Sequence, residues 1–146
     1  MLINGSWLTC NDGMTRPTVR ISVQAADGQS VPASFLVDCA ADRTVFDATL
    51  DRKLCLPQQP PPPGLTFQGV GGASPFVLVT TMLELGRQDS GTARIRGQFA
   101  AFTDPQATDM SILGRDVLDN FDVILSRRRN EVLLLAPNHQ YAVISP

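Results

Sequence analysis

Asp38 is the residue of this chain whose surroundings most favour chemistry. Phe35-Leu36-Val37 runs straight into it, and the small residues Cys39, Ala40 and Ala41 follow before a second acid, Asp42. An apolar run of this kind reads as a buried strand, and an aspartate is almost never fully buried without a partner. A carboxylate at the end of a core strand, on a tight turn of small residues, is a candidate catalytic acid. Taken alone, the segment also admits an ordinary strand-end aspartate that caps the next turn. Other chemistries have less to stand on. There is no zinc-type cysteine pair and no phosphate-binding loop, and the single histidine, His139, lies in a polar stretch near the C-terminus. No metal or other cofactor is expected.

Two further motifs follow in order. Phe67-Gln68-Gly69-Val70-Gly71-Gly72-Ala73 stands between two β-rich segments, and Ser111-Ile112-Leu113-Gly114-Arg115-Asp116-Val117-Leu118 reads as a strand-to-helix junction. Each is a weak signal by itself. An aspartate turn, then a glycine-rich hairpin tip, then an Ile-Leu-Gly-Arg-Asp junction is the order found in retropepsins, the retroviral-type aspartic proteases. The chain resembles that family from about Val19 to Leu135.

The resemblance implies a mechanism and an assembly. Retropepsins are single-lobed and supply one catalytic aspartate per chain, which implies a homodimer with two Asp38 carboxylates facing each other. Two like charges so close cannot both ionise easily, so the pair shares a proton. The ionised member would activate a water and the protonated member would donate to the scissile carbonyl of a peptide. Gly69, Val70 and Gly71 would form the tip of a flap that closes over an extended peptide or protein substrate, whose backbone would also meet Ala40 and Asp42. Glycines there allow positive φ and close backbone approach. By position, Asp42 and Arg115 match an Asp and an Arg that pair near the active-site turn. If buried, such a pair costs roughly 3–5 kcal/mol to break from one side. Asp116 is expected to cap or solvate the short helix.

The chain departs from the family at the turn itself. The usual Asp-Thr-Gly or Asp-Ser-Gly is replaced by Asp38-Cys39-Ala40. The hydroxyl residue normally braces the two catalytic loops across the dimer, and a thiol is a weaker donor, so Cys39 as structural support should loosen that brace. Ala40 adds a methyl group beside the substrate. The family's C-terminal strand enters an intersubunit sheet, whereas this chain continues through residues 121–136 to Tyr141-Ala142-Val143-Ile144, so the dimer sheet is expected to be built differently.

The elements that must position these residues are mostly strands. Thr18 to Ala26 alternates, with Val19, Ile21 and Val23 on one face, and Asp27-Gly28 is a hairpin turn signal. Val31 to Asp38 returns to deliver the turn. Asp47 to Leu54 forms a short helix or an irregular connection. Pro60 to Pro63 fix φ and cannot donate to a ladder, so they make a stiff exposed loop, a rigid spacer at the base of the hairpin. Leu65 to Gln68 and Phe76 to Leu85 are the arms of the glycine-tipped hairpin. Ala93 to Phe102 is a further strand with Ile95 and Phe99 inward. A short helix spans Gly114 to Asn120, and Phe121 to Leu125 with Glu131 to Ala136 closes the chain as a hairpin tipped by Arg127-Arg128-Arg129. The pattern predicts an all-β, retropepsin-like acid-protease barrel, single-lobed, with a glycine-rich flap hairpin and one short C-terminal helix. The Leu-Val-Asp and Ile-Leu-Gly-Arg-Asp turns suggest an internal pseudo-repeat.

Composition sets the bounds. A chain of 146 residues is one domain by length, here residues 1–146 with a core of about 19–135. Twelve basic against fourteen acidic residues give a net charge of −2, which argues against a nucleic-acid surface. Cys10, Cys39 and Cys55 form no even framework, so free thiols and a reducing, cytoplasmic setting are expected. No stretch approaches the roughly 18 apolar residues of a membrane span. The function expected is a homodimeric aspartic endopeptidase. A catalytically weakened relative that binds peptides without cutting is the alternative, and an unrelated β-barrel binding module is the third reading.

Overall fold

The computed structural model describes residues 1–69, 72–137 and 142–144. In chain order its strands are β1 (Leu2–Asn4), β2 (Ser6–Thr9), β3 (Thr15–Gln24), β4 (Ser30–Val37), β5 (Val45–Phe46), β6 (Gln68–Gly69), β7 (Gly72–Ala73), β8 (Phe76–Gly86), β9 (Thr92–Phe102), β10 (Ser111–Leu113), β11 (Asp122–Ser126) and β12 (Glu131–Leu135), with helices α1 (Ala48–Leu54) and α2 (Arg115–Leu118). The order β3-β4-β10-β5-β9-β8 closes on itself through pairing of β8 with β3, and β2 attaches outside β3. Closure pairs part of the backbone that an open sheet would leave at its edges, while β4 over residues 30–34 and β9 over residues 92–99 keep a ladder on one side only.

Period-two patterning builds this barrel. Val19, Ile21 and Val23 of β3 are buried while Arg20 is exposed. The β3–β4 turn has Gly28 at φ 84°, with the Asp27 side chain accepting from Gln29 N at 2.9 Å. Phe35, Phe46 and Phe99 meet inside the barrel, Phe35 edge-on to Phe46 with ring centres 5.9 Å apart. Phe99 is buried and Ile95 packs against the core at partial exposure, so both point inward.

Of the two readings of residues 47–54, a short helix or an irregular connection, the structure takes the helix, α1. Asp47 caps it, accepting from Thr49 N and Leu50 N, and Cys55 ends it in the left-handed region at φ 50°. The strands β1 and β2, which the alternation did not reveal, pair with β12 and β3. The first hairpin arm is shorter than the expected Leu65 to Gln68: β6 and β7 are two residues each, because Leu65 and Phe67 are drawn down onto a small cluster with Val45, Phe76, Leu78 and Phe102. The proline run is pinned at the base of this region, where Gln59 and Leu78 exchange backbone hydrogen bonds of 2.9 and 2.8 Å. Val70 and Gly71 at the hairpin tip, and His139 and Tyr141 near the C-terminus, lie outside the described residues.

Candidate active site

β10 lies between β4 and β5, parallel to β4 in the register Ser111–Phe35, Ile112–Leu36, Leu113–Val37. Each of the parallel strands ends in a turn, one at Asp38 and one at Gly114. The two turns expected to form a pseudo-repeat therefore stand side by side, joined where Asp38 N donates to Leu113 O at 3.1 Å.

The Asp38 carboxylate is half-buried and accepts from Ala40 N at 3.0 Å, while Ala41 N donates to the Asp38 carbonyl at 3.1 Å. The turn thus folds back on its own aspartate and leaves Cys39 and Ala40 exposed. Cys39 is a free thiol.

Behind the turn, residues 41–44 are stitched to α2. Arg115 N donates to Ala41 O at 2.8 Å and Asp116 N to Asp42 O at 3.3 Å. The Arg115 guanidinium pairs with the Asp42 carboxylate, as the sequence suggested. Within one chain that pair is exposed, Arg115 at 53% and Asp42 at 79%, so the cost assigned to a buried pair does not apply to it; an exposed pair contributes about 0–1 kcal/mol.

Thr44 and Asp116 form a centre that sequence reasoning missed. Thr44 is fully buried. Its N–H and hydroxyl both donate to Asp116 Oδ1, at 2.8 and 2.7 Å, and Gly114 N donates to Thr44 Oγ1 at 3.0 Å. Asp116 therefore neither caps nor merely solvates α2; it anchors the loop that follows the aspartate turn. Gly114 explains the tightness of the junction, because a Cβ there would stand 2.3 Å from the Arg43 carbonyl carbon. A second link joins Asp47 to β10: Ser111 Oγ donates to Asp47 Oδ2 at 2.6 Å and accepts from Asp47 N at 3.0 Å. The partners in these links lie 64 to 72 positions apart, so no local pattern could have disclosed them.

Asp38 opens into a cleft of about 850 Å³. Val45, Phe102 and Ile112 line its floor, residues 65–68 and 72–74 its roof, and Asp104, Gln106, Ala107 and Thr108 its far wall. Ala40, Asp42 and Arg43 share the Asp38 side. The structure thus brings together Asp38, Ala40, Asp42, Arg115 and the hairpin base around Gly69. The wall loop was not anticipated. It is shaped by the Asp104 side chain accepting from Gln106 N at 2.8 Å, and tied to the hairpin by Thr103 N donating to Pro75 O at 3.5 Å. Phe67 stacks edge-on against Phe76 and Phe102, with ring centres 4.9 and 5.6 Å apart, and so fixes the roof to the floor. The cleft is open to solvent, and Asp38, Asp42 and Asp104 bring carboxylates to its lining. No helix among the described residues is long and apolar enough to cross a membrane.

Comparison with known proteins agrees with this geometry. A retropepsin-like aspartic protease from Rickettsia conorii is 14% identical, with 92% of this chain and 88% of that one covered at a TM-score of 0.53. The EIAV protease complexed with the inhibitor HBY-793 is 24% identical over 77% of this chain and 92% of its own, at a TM-score of 0.49. No curated protein matches the chain. At these identities the Rickettsia structure establishes a shared fold, the retropepsin-like one. A family model described as aspartyl protease matches residues 19–117. That match spans more than half of the chain and includes the Asp38 turn, the glycine hairpin and the Gly114 junction, and the chain belongs to the aspartyl protease family.

Proposed function

We propose that this protein is a homodimeric aspartic endopeptidase in which two Asp38 carboxylates, one from each chain, activate the water that hydrolyses a peptide bond. The observation that carries the reading is the position of Asp38. It ends a core strand on a turn braced from behind by Thr44, Gly114 and Asp116, and it faces an open cleft roofed by the glycine hairpin. One chain offers a single such carboxylate, and general-base and general-acid roles need two groups in different protonation states. In the dimer the two facing carboxyls share one proton between them. The ionised member takes a proton from water while the other donates to the scissile carbonyl. Gly69, Val70 and Gly71 close over the substrate and exclude water, and Ala40 and Asp42 meet its backbone.

Asp38→Asn tests this. The amide preserves shape but cannot act as base, so turnover of an unfolded protein substrate at mildly acid pH should vanish while fold and dimer persist. Unchanged turnover would sink the mechanism. The pH–rate profile of the parent should be bell-shaped, a property of the pair.

The Asp38-Cys39-Ala40 turn favours a second reading, a peptide-binding dimer that cuts slowly or not at all. Its exposed thiol is a poor cross-chain donor, and the Ala40 methyl lines the cleft. Binding of a pepstatin-type inhibitor or a peptide without turnover would select it.

A further inference from the structure

The proline run has no part in the proposed catalysis, and the fold presents it as a surface. Pro57, Gln58, Gln59, Pro60, Pro62 and Pro63 are all exposed. Pro61 is half-buried and lines an apolar pocket with Leu65, Phe67, Pro75 and Phe76. Each ring fixes its own φ at about −65°. A proline also keeps the residue before it in the extended range, and Gln59, Pro60, Pro61 and Pro62 each precede one. The run is therefore a polyproline II helix, with three residues per turn. That period sets Pro60 and Pro63 on one edge, away from the edge on which Pro61 meets the hairpin. Pro57 recurs at the same spacing.

Both ends of the run are clamped. At its start Gln58 Nε2 donates to Asp51 Oδ2 at 2.8 Å, Gln59 exchanges backbone hydrogen bonds with Leu78, and Gln98 Nε2 donates to Gln59 Oε1 at 3.1 Å. At its end Leu65 N donates to Pro62 O at 3.2 Å and Gly64 has φ 84°. Pro62 to Leu65 is thus a type II turn, with Pro63 and Gly64 at its centre. A segment held in one shape from both sides loses little freedom when something binds it. What can bind is limited by donors. Residues 60–63 have no N–H, so an added β-strand finds no ladder on them. They offer ring faces and carbonyls. A groove lined by Tyr and Trp supplies flat apolar faces for the rings and O–H and N–H donors for the carbonyls, and polyproline II segments are read in such grooves. A second copy does not supply one around its single Trp, because Trp7 gives its Nε1–H to Glu131 O at 3.1 Å and has Arg127 over its ring.

We propose that residues 57–63 are a docking segment for a different protein, one that carries an aromatic-lined, polyproline-reading groove, with Pro60 and Pro63 as the rings it takes up. The inference does not depend on the catalytic reading. It is tested by titrating the full chain into isolated WW, SH3 and EVH1 domains, each of which has such a groove, up to about 1 mM. The readout is fluorescence of the groove's tryptophan. At least one domain should bind. Pro60→Ala/Pro63→Ala should weaken that binding about tenfold or more and leave the far-ultraviolet circular dichroism of the chain intact, since both rings are exposed. A free peptide of residues 56–65 lacks the clamps and should bind more weakly than the folded chain. Three results each overturn the proposal: no domain binds, binding is unmoved by the double variant, or a domain takes the free peptide and refuses the folded chain.

Discussion

Asp116 Oδ1 receives two hydrogen bonds from Thr44, and the Thr44 hydroxyl in turn receives one from Gly114 N. A single buried threonine thereby sets the distance between the Asp38 loop and α2. Thr44→Val keeps the shape but strips the hydroxyl, leaving Gly114 N–H without an acceptor in a buried site. The expected loss is about 1–3 kcal/mol, read as a lower urea midpoint, with Thr44→Ser closer to the parent. Gly114→Ala is expected to be worse, because its Cβ would press on the Arg43 backbone rather than on a yielding side chain. At the Asp38 turn, Cys39→Thr/Ala40→Gly should raise peptide turnover and tighten the dimer, since it restores a hydroxyl donor and clears a methyl from the cleft. A double variant equal to the parent in both respects would show that this turn costs nothing.

Helix α1 carries a buried carboxylate with no part in the proposed chemistry. Asp51 Oδ2 accepts from Gln58 Nε2 at 2.8 Å, while Oδ1 has no partner. Burial pushes the Asp51 carboxyl above the ordinary carboxylate value, against the opposing pull of the Gln58 hydrogen bond and the Arg52 charge. The sign follows from proton counting. Between the ordinary and the raised value the folded chain holds a proton that the unfolded chain has released, so stability from this group falls as pH rises through that window and is regained on acidification. Asp51→Asn removes the titration. Its denaturation midpoint should gain on the parent's as pH is raised from about 4 to 7, and identical pH dependence in the two would dismiss the assignment. In the hairpin, Gly72 has φ 98° with open space around a would-be Cβ. Gly72→Val therefore clashes with nothing and acts through the backbone alone, at a cost of about 1–3 kcal/mol. If the hairpin is a lid, turnover should drop well beyond what that destabilisation explains; unaltered kinetic constants would show that it is not.

At the scale of the whole molecule, each chain presents half of the proposed site. Activity should fall faster than linearly on dilution, and the midpoint of that fall should match the dimer dissociation constant from ultracentrifugation. Arg115→Ala separates two levels of organisation. Its partner Asp42 is exposed in the single chain, so the variant should unfold within about 1 kcal/mol of the parent. A much larger loss, seen only at concentrations where the parent is dimeric, would place the pair inside the subunit interface.

The sequence alone determined the barrel class and marked three turns and their order, because each is written in local grammar: alternation on β3, an apolar run ending in Asp38, glycines at 69, 71 and 72, a junction at Gly114. It also pointed to the Asp42–Arg115 pairing, through a resemblance rather than through spacing. The tertiary structure decided the rest. Whether Arg115 is buried depends on what packs over it, which no neighbour in sequence specifies. Thr44 looks like any strand-edge threonine until β10 is laid between β4 and β5 and brings Asp116 within 2.7 Å. The strands β1 and β2 are too short to show a period, and they exist because β12 and β3 offer them edges. Local pattern reports which side of an element is apolar; only closure of the chain says which distant groups that side will meet.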